Sequence, residues 1–314
     1  MARVLAIVFP DILIEQAKAQ KSRTHSLEQP WVVVLKKEGT QRKSLSSYTR
    51  INATSGVARK AGIVPGHTLA SARAKVGSLG VTILTEAHLK TELTRIAELA
   101  MVFAPGVAFE TQRSLVWVQI SDCAHLHRHA ADSSGERTLA TQLAGLFVPA
   151  QYRFRMAIAD GPRLAAATVL HSPNDQMIQV APHGKSAEAF GQLPVEAWEV
   201  TDATQQWLIN LGCSKIEHVQ KLPSLELRSR LNEEECGLLP LLEGRDESVL
   251  EPYHPVTWPE ETVSFDDDLI HSEALLFAAK RMVQSLSTRL SARALGATKV
   301  KASLFLHRIL AGEA

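Results

Sequence analysis

No apolar run in the 314 residues approaches the roughly 20 needed to cross a bilayer; Leu5–Phe9 is typical of the longest. The N-terminus lacks the features of a secretory leader, because Pro10, Asp11 and Glu15 interrupt its apolar stretch and no small-residue cleavage site follows. Cysteine is scarce. Cys123, Cys213 and Cys236 stand far apart without pairing spacing, which excludes a disulfide framework and predicts reduced thiols in a cytoplasmic protein. Neither sign of charge dominates, since the formal net charge is +1, so total charge identifies no partner. There is no internal repeat.

What the chain does have is charge in blocks. From Lys36 to Lys75 nine Lys and Arg face the single acid Glu38. Between Arg245 and Asp268 the balance reverses, eight acids to Arg245 alone, and from Glu273 onward it is basic again. A basic block is either a phosphate-facing surface or an ordinary solvated face.

The hydrophobic pattern predicts several modules, as the length requires. Val4–Phe9 and Trp31–Leu35 read as short strands, with a helix from Ile12 to Lys18. Ser55–Ala61 reads as a helix stopped at Gly62, and Thr68 caps another that runs to about Lys75. Leu89, Leu93, Ile96, Ala100 and Phe103 recur at helical spacing before Pro105. The stretch at the centre is Ser114–Ser121, SLVWVQIS, a buried strand. A helix over Glu136–Phe147, a strand over Tyr152–Ala159 and a helix over Pro162–Leu170 follow. With Trp31–Lys75 set aside, the order is a ferredoxin-like alternation interrupted by an insertion, an α+β fold. Thr201–Leu211, a Leu-Gly-Cys turn and a helix from Ser214 to Leu222 make a helix-hairpin-helix pattern, which is either a phosphate-gripping turn or a plain αα-hairpin. Leu242–Pro259, rich in proline and acids, reads as a linker. Thr262–Phe265, Glu273–Leu290 and Lys299–Leu306 read as strand, helix and strand, an α/β module that looks incomplete.

This order, with the nonapeptide Ala58–Gly66 (ARKAGIVPG), resembles the Y-family of translesion DNA polymerases over nearly the whole chain. Three further stretches, Leu5–Pro10 (LAIVFP), Ser121–Leu126 (SDCAHL) and Leu242–Asp246 (LEGRD), are similar to a polymerase-like branch of that family that works in a bacterial mutasome. The resemblance implies a right-hand architecture: palm over 1–30 and 81–172, fingers over 31–80, a helix-hairpin-helix thumb over 173–241, a linker over 242–260 and a partial little finger over 261–314.

It also implies what is missing. Nucleotidyl transfer uses two metal ions held between strands by acids. The family's first-strand Asp falls on Val8, to within one residue (Ile7 or Phe9), and its Asp-Glu pair on Ser114 and Leu115, so no catalytic residue and no metal are expected. The nearest acids are Asp11 and Asp122. Of the family's triphosphate ligands only Arg59 is kept, with Gly56 and Ala166 in place of a Tyr and a Lys. The Cys123, His125, His127, His129 cluster could suggest zinc, but alternate spacing does not converge on a tetrahedron, so core positions (Cys123, Leu126) between surface histidines are expected. The implied role is a non-catalytic scaffold in damage-induced error-prone synthesis; a divergent active polymerase is the alternative. The implied partners are DNA, an ImuA-like protein, the sliding clamp and an error-prone C-family polymerase, with no membrane and no cofactor. DNA contacts are expected from Arg59 and Lys60 in the fingers, Gly212 and Lys215 in the thumb, and Lys299 and Lys301 in the little finger. Gln284–Leu290 (QSLSTRL) fits a clamp-binding peptide loosely.

Overall fold

A computed structural model describes residues 2–20, 29–36, 45–129, 132, 134–148, 152–172, 176–256, 258–263, 272–293 and 295–304. They fall into two bodies, residues 1–255 and 256–314.

In the first body, β1 (Arg3–Val8) leads into α1 (Ile12–Gln20). The fingers segment supplies β2 (Trp31–Lys36), β3 (Ala53–Thr54), α2 (Gly56–Lys60), α3 (Leu69–Lys75) and β4 (Gly80–Thr85). Ser55 and Thr68 cap α2 and α3 by accepting from the amides of Ala58 and Ser71. The small sheet runs β3-β2-β4, with β2 and β4 parallel. β4 was hidden in the sequence because Gly80, Thr82 and Thr85 dilute its apolar signal. Its last residue, Thr85, is also the cap of the next helix.

That helix is α4 (Glu86–Ala100), followed by β5 (Val107–Glu110), β6 (Leu115–Gln119), α5 (Glu136–Phe147), β7 (Arg155–Asp160), α6 (Pro162–His171) and β8 (Ile178–Val180). The palm sheet runs β5-β6-β1-β7-β8, so β1 lies at its centre and is buried throughout. Alternation along β1 divides the core. Leu5, Ile7 and Phe9 pack towards α4 and α5, while Val4, Ala6 and Val8 pack with α6 and the helices that follow it. Two expectations need correction. The strand expected over Ser114–Ser121 begins at Leu115, because Ser114 takes φ 53° in the turn of the β5–β6 hairpin. Leu126 is 72% exposed, because a short 3₁₀ turn over Ala124–His127 replaces extended chain and rotates it outward.

The thumb segment is a set of short helices: α7 (Ser186–Gly191), α8 (Asp202–Asn210), α9 (Ile216–Gln220), α10 (Ser224–Arg230), α11 (Glu233–Cys236) and α12 (Leu239–Leu242). Trp198, Leu208, Ile216 and Leu227 join the core that includes Val8 and α6. Glu235 holds this segment together. Its buried carboxylate accepts from the Thr201 amide and hydroxyl and from the Asn232 amide. Burial alone would raise its pKa, but those donors outweigh it and hold the group at about 2.

The expected linker over 242–260 is also different. Its first part is a strap on the first body. The Asp246 carboxylate accepts from the amides of Arg163 and Leu164, which caps α6 from 83 residues away. Gly161, at φ 115°, is required there, since a Cβ on it would lie 2.3 Å from the Cβ of Asp246. Further on, the Tyr253 amide donates to Val107 O at 2.7 Å on the edge strand β5.

In the second body, α13 (Ser272–Ala292) is the one regular element among the described residues. Arg289 and Ser285 hold Glu261. The strands expected over Thr262–Phe265 and Lys299–Leu306 do not form over residues 262–263 and 299–304, where no strand pairing is made; Ser264, Phe265, Phe305 and Leu306 lie outside the described residues. Gln284–Leu290 is helical, so an extended peptide is not presented there.

Candidate functional site

The register across the palm sheet aligns four residues at one end. Glu110 on β5 is opposite Leu115 on β6, Leu115 is opposite Val8 on β1, and Val8 is opposite Arg155 on β7. Directly opposed residues point to the same face, so this is one transverse row with about 5 Å between neighbours. Val8 is 3% exposed and Leu115 0%. The hairpin turn puts Ser114 beside the row, and its carbonyl accepts from the Phe9 amide at 3.1 Å. Hence the three positions that the resemblance assigns to metal-binding acids are together in space, and they carry two hydrocarbon side chains and a hydroxyl. That donor set does not fit a divalent metal, which takes carboxylate oxygens.

Glu110 is held by Arg113, and the acids nearest in sequence cannot repair the site. Asp122 follows the far end of β6, beside Arg3, whereas Asp11 follows Val8, so the length of β1 separates them, roughly 17–20 Å. Asp11 is also engaged. One carboxylate oxygen pairs with Arg59 and the other lies 3.3 Å from Arg153 Nη1. Glu15, one turn along α1, accepts from the Arg153 amide at 2.7 Å. Burial pushes its carboxyl pKa up, and the charge on Asp11 adds to that.

Arg59 also donates from Nε to Thr54 O at 3.3 Å, so its guanidinium is turned onto the fingers backbone and the palm helix α1. Lys60 is exposed beside it. Gly56 fronts open space, with nothing within 4 Å of a built Cβ, whereas Ala166 is packed in the core on α6.

In the thumb, Gly212 takes φ 87° between α8 and α9. The Gly212 amide donates to Ile209 O, that of Cys213 to Leu208 O and that of Ile216 to Leu193 O, so three of the hairpin's amides are satisfied within the chain. Lys215 is half exposed, 3.4 Å from Gln192 Oε1 and 3.9 Å from Glu217. Lys299 and Lys301 are exposed in the second body. Arg42 and Lys43 of the basic block lie outside the described residues, as does Lys37.

The cysteine and histidines around residue 123 do not converge. The buried Cys123 thiol donates weakly to Ile120 O at 3.7 Å, and burial raises its pKa. His127 lies tilted against Phe103, with ring centroids 5.8 Å apart, and His129 Nε2 is 2.8 Å from Thr138 Oγ1. Among the described residues no group of three or more His, Cys, Asp or Glu is placed to hold a metal ion.

Sequence reasoning missed Arg153 and Arg155. Neither lies in a motif; strand register puts Arg155 opposite Val8, and Arg153 reaches Asp11 from the segment just before β7.

No protein-family model matches the chain. Its similarity to known proteins is to Protein ImuB of Caulobacter vibrioides, found in two strains, at 26% identity over 248 residues. The match covers 79% of this chain and 52% of the relative, so the chain spans about half the length of the curated proteins it matches. Among solved structures it is similar to DinB from Sulfolobus solfataricus, with a TM-score of 0.57 at 14% identity, covering 80% of this chain and 69% of that one. An insertion ternary complex of Dbh DNA polymerase gives a TM-score of 0.61, also at 14% identity, over 79% of this chain and 69% of that one. The chain has the Y-family DNA polymerase fold and is ImuB-like in sequence.

Proposed function

We propose that this chain is a non-catalytic, polymerase-like scaffold in error-prone translesion synthesis. In this reading it contacts DNA through the fingers, thumb and little finger, and links an ImuA-like protein, the sliding clamp and an error-prone C-family polymerase. In this reading the palm spans 1–30 and 81–172, the fingers 31–80, the thumb 173–241 and the little finger 261–314. The observation that carries the reading is the Val8–Leu115 pair, buried and apolar on adjacent strands where the fold's chemistry would need carboxylates. The pairing of Asp11 with Arg59 and Arg153 supports it, because it occupies the acid that follows β1 and one expected phosphate ligand together.

The test is primer extension beside DNA-binding titration, with Mg²⁺ and then Mn²⁺, over a salt series. The reading expects salt-dependent binding, with log affinity falling linearly in log salt, and no extension. Extension that survives stringent purification and scales with protein would overturn it. Pull-down of the three protein partners with the full-length protein tests the linking role.

A further inference from the structure

We propose that Arg155 is a fixed-cation contact for a nucleic-acid phosphate, standing at the sheet end where catalysis would need metal-bound acids. This deepens the proposed function and rests on its DNA-binding part. Arg155 opens β7 and ends the row Glu110–Leu115–Val8–Arg155. Two neutral side chains therefore separate it from the acid of its own row. Arg113 holds that acid with hydrogen bonds of 2.7–3.2 Å, and its other arm pairs with Glu199. Arg153, two residues away, is paired with Asp11, as is Arg59. Arg155 is only partly exposed, and its guanidinium makes no hydrogen bond or ion pair among the described residues. His171, at the end of α6, is close enough for their charges to interact, and Glu196 and Glu199 interact with the same histidine.

A guanidinium is always charged, presents five donors and matches phosphate geometry with two of them. Partial burial without a partner costs free energy that an anion would recover. Carboxylates at Val8 and Leu115 would need metal ions before a phosphate could approach. Here the row is neutral except for its two ends, and Glu110 is already neutralised. Such a contact requires no divalent metal.

The test is fluorescence anisotropy of a labelled primer–template duplex with the whole chain, in EDTA and in Mg²⁺ at matched ionic strength, over a KCl series. The expected result is equal affinity in EDTA and Mg²⁺. Arg155→Gln should bind about tenfold more weakly and lower the slope of log affinity on log salt by about 1, while Arg155→Lys keeps the slope. Arg137→Gln, which removes the same charge from the exposed side of α5 on the opposite face of the sheet, should leave the slope unchanged. Thermal melting checks that each variant folds. An unchanged slope in Arg155→Gln, an equal loss in Arg137→Gln, or wild-type binding that needs Mg²⁺ overturns the inference while the scaffold reading stands. No wild-type binding at any salt overturns the inference together with the DNA part of that reading.

Discussion

The central strand carries two cross-strand pairs of opposite chemistry. At its start Arg3 is opposite Asp160; at its end Val8 is opposite Leu115. The first is the centre of a buried ionic network. Arg3 reaches Asp160 at 3.2 Å and Glu136 at 2.5 Å, and Asp160 also accepts from His183, the Gly184 amide and the Ser186 hydroxyl. Burial opposes the charge on Asp160, but these donors and Arg3 outweigh it and lower its pKa. Arg3 shifts the other way: burial works against its charge, and the two carboxylates more than restore it. The palm can therefore hold buried carboxylates when the surrounding groups pair them. Their absence at the Val8 end is a property of that site, and no general limit of the fold.

The contrast can be broken from either side. Asp160→Ala should have the largest effect, about 3–5 kcal/mol of stability by urea unfolding at neutral pH, because it leaves Arg3 buried with one partner fewer. Little change would mean that the network is dispensable. Val8→Asp imports the chemistry of one end into the other and should also cost several kcal/mol, roughly 3–5, through an uncompensated buried charge. Adding Arg155→Gln to it should cost up to about 1 kcal/mol beyond the sum of the single changes, the worth of one cross-strand charge pair; strict additivity would place Arg155 out of reach of residue 8.

Acid should separate the two ends as well. Asp160 and Glu235 have folded pKa values below their ordinary 3.8 and 4.5, so the stability they contribute is present above those values and lost as pH falls through the folded ones. The share from Asp160 and Glu235 should be lost between about pH 4.5 and 2, where melting temperature should drop, with Glu235 accounting for on the order of 3 kcal/mol. Asp160→Ala should lose less than the wild type over that range, its share being already gone, whereas Leu115→Ala should lose as much as the wild type. The smallest effect is expected for Arg59→Gln. Its ion pair with Asp11 is half exposed, so stability should change by no more than about 1 kcal/mol.

The palm helices were legible because Leu89, Leu93 and Ile96, or Leu139 and Leu143, repeat at helical spacing and are buried as that spacing requires. The apolar substitution at Val8 and Leu115 could be read one residue at a time. The row that joins them to Glu110 and Arg155 could not, because strand register is settled by contacts between distant segments. The linker misled for a similar reason. Three prolines and a run of acids describe a solvated tether, and nothing local shows that one acid is buried as the cap of a helix 83 residues earlier.

That remote cap bears on how the molecule can be cut. A shortened version ended after α12, where the last thumb helix stops, would keep every strand and helix of the first body. It would still expose the amides of Arg163 and Leu164 at the start of α6 and leave a gap beside Gly161 where Asp246 had been. The smallest self-sufficient piece of the hand therefore runs past Ser248, whose amide and hydroxyl fix the other oxygen of Asp246. It extends to Tyr253, where the strap meets the sheet edge. A boundary drawn by secondary structure alone would divide a helix from the carboxylate that satisfies its first turn.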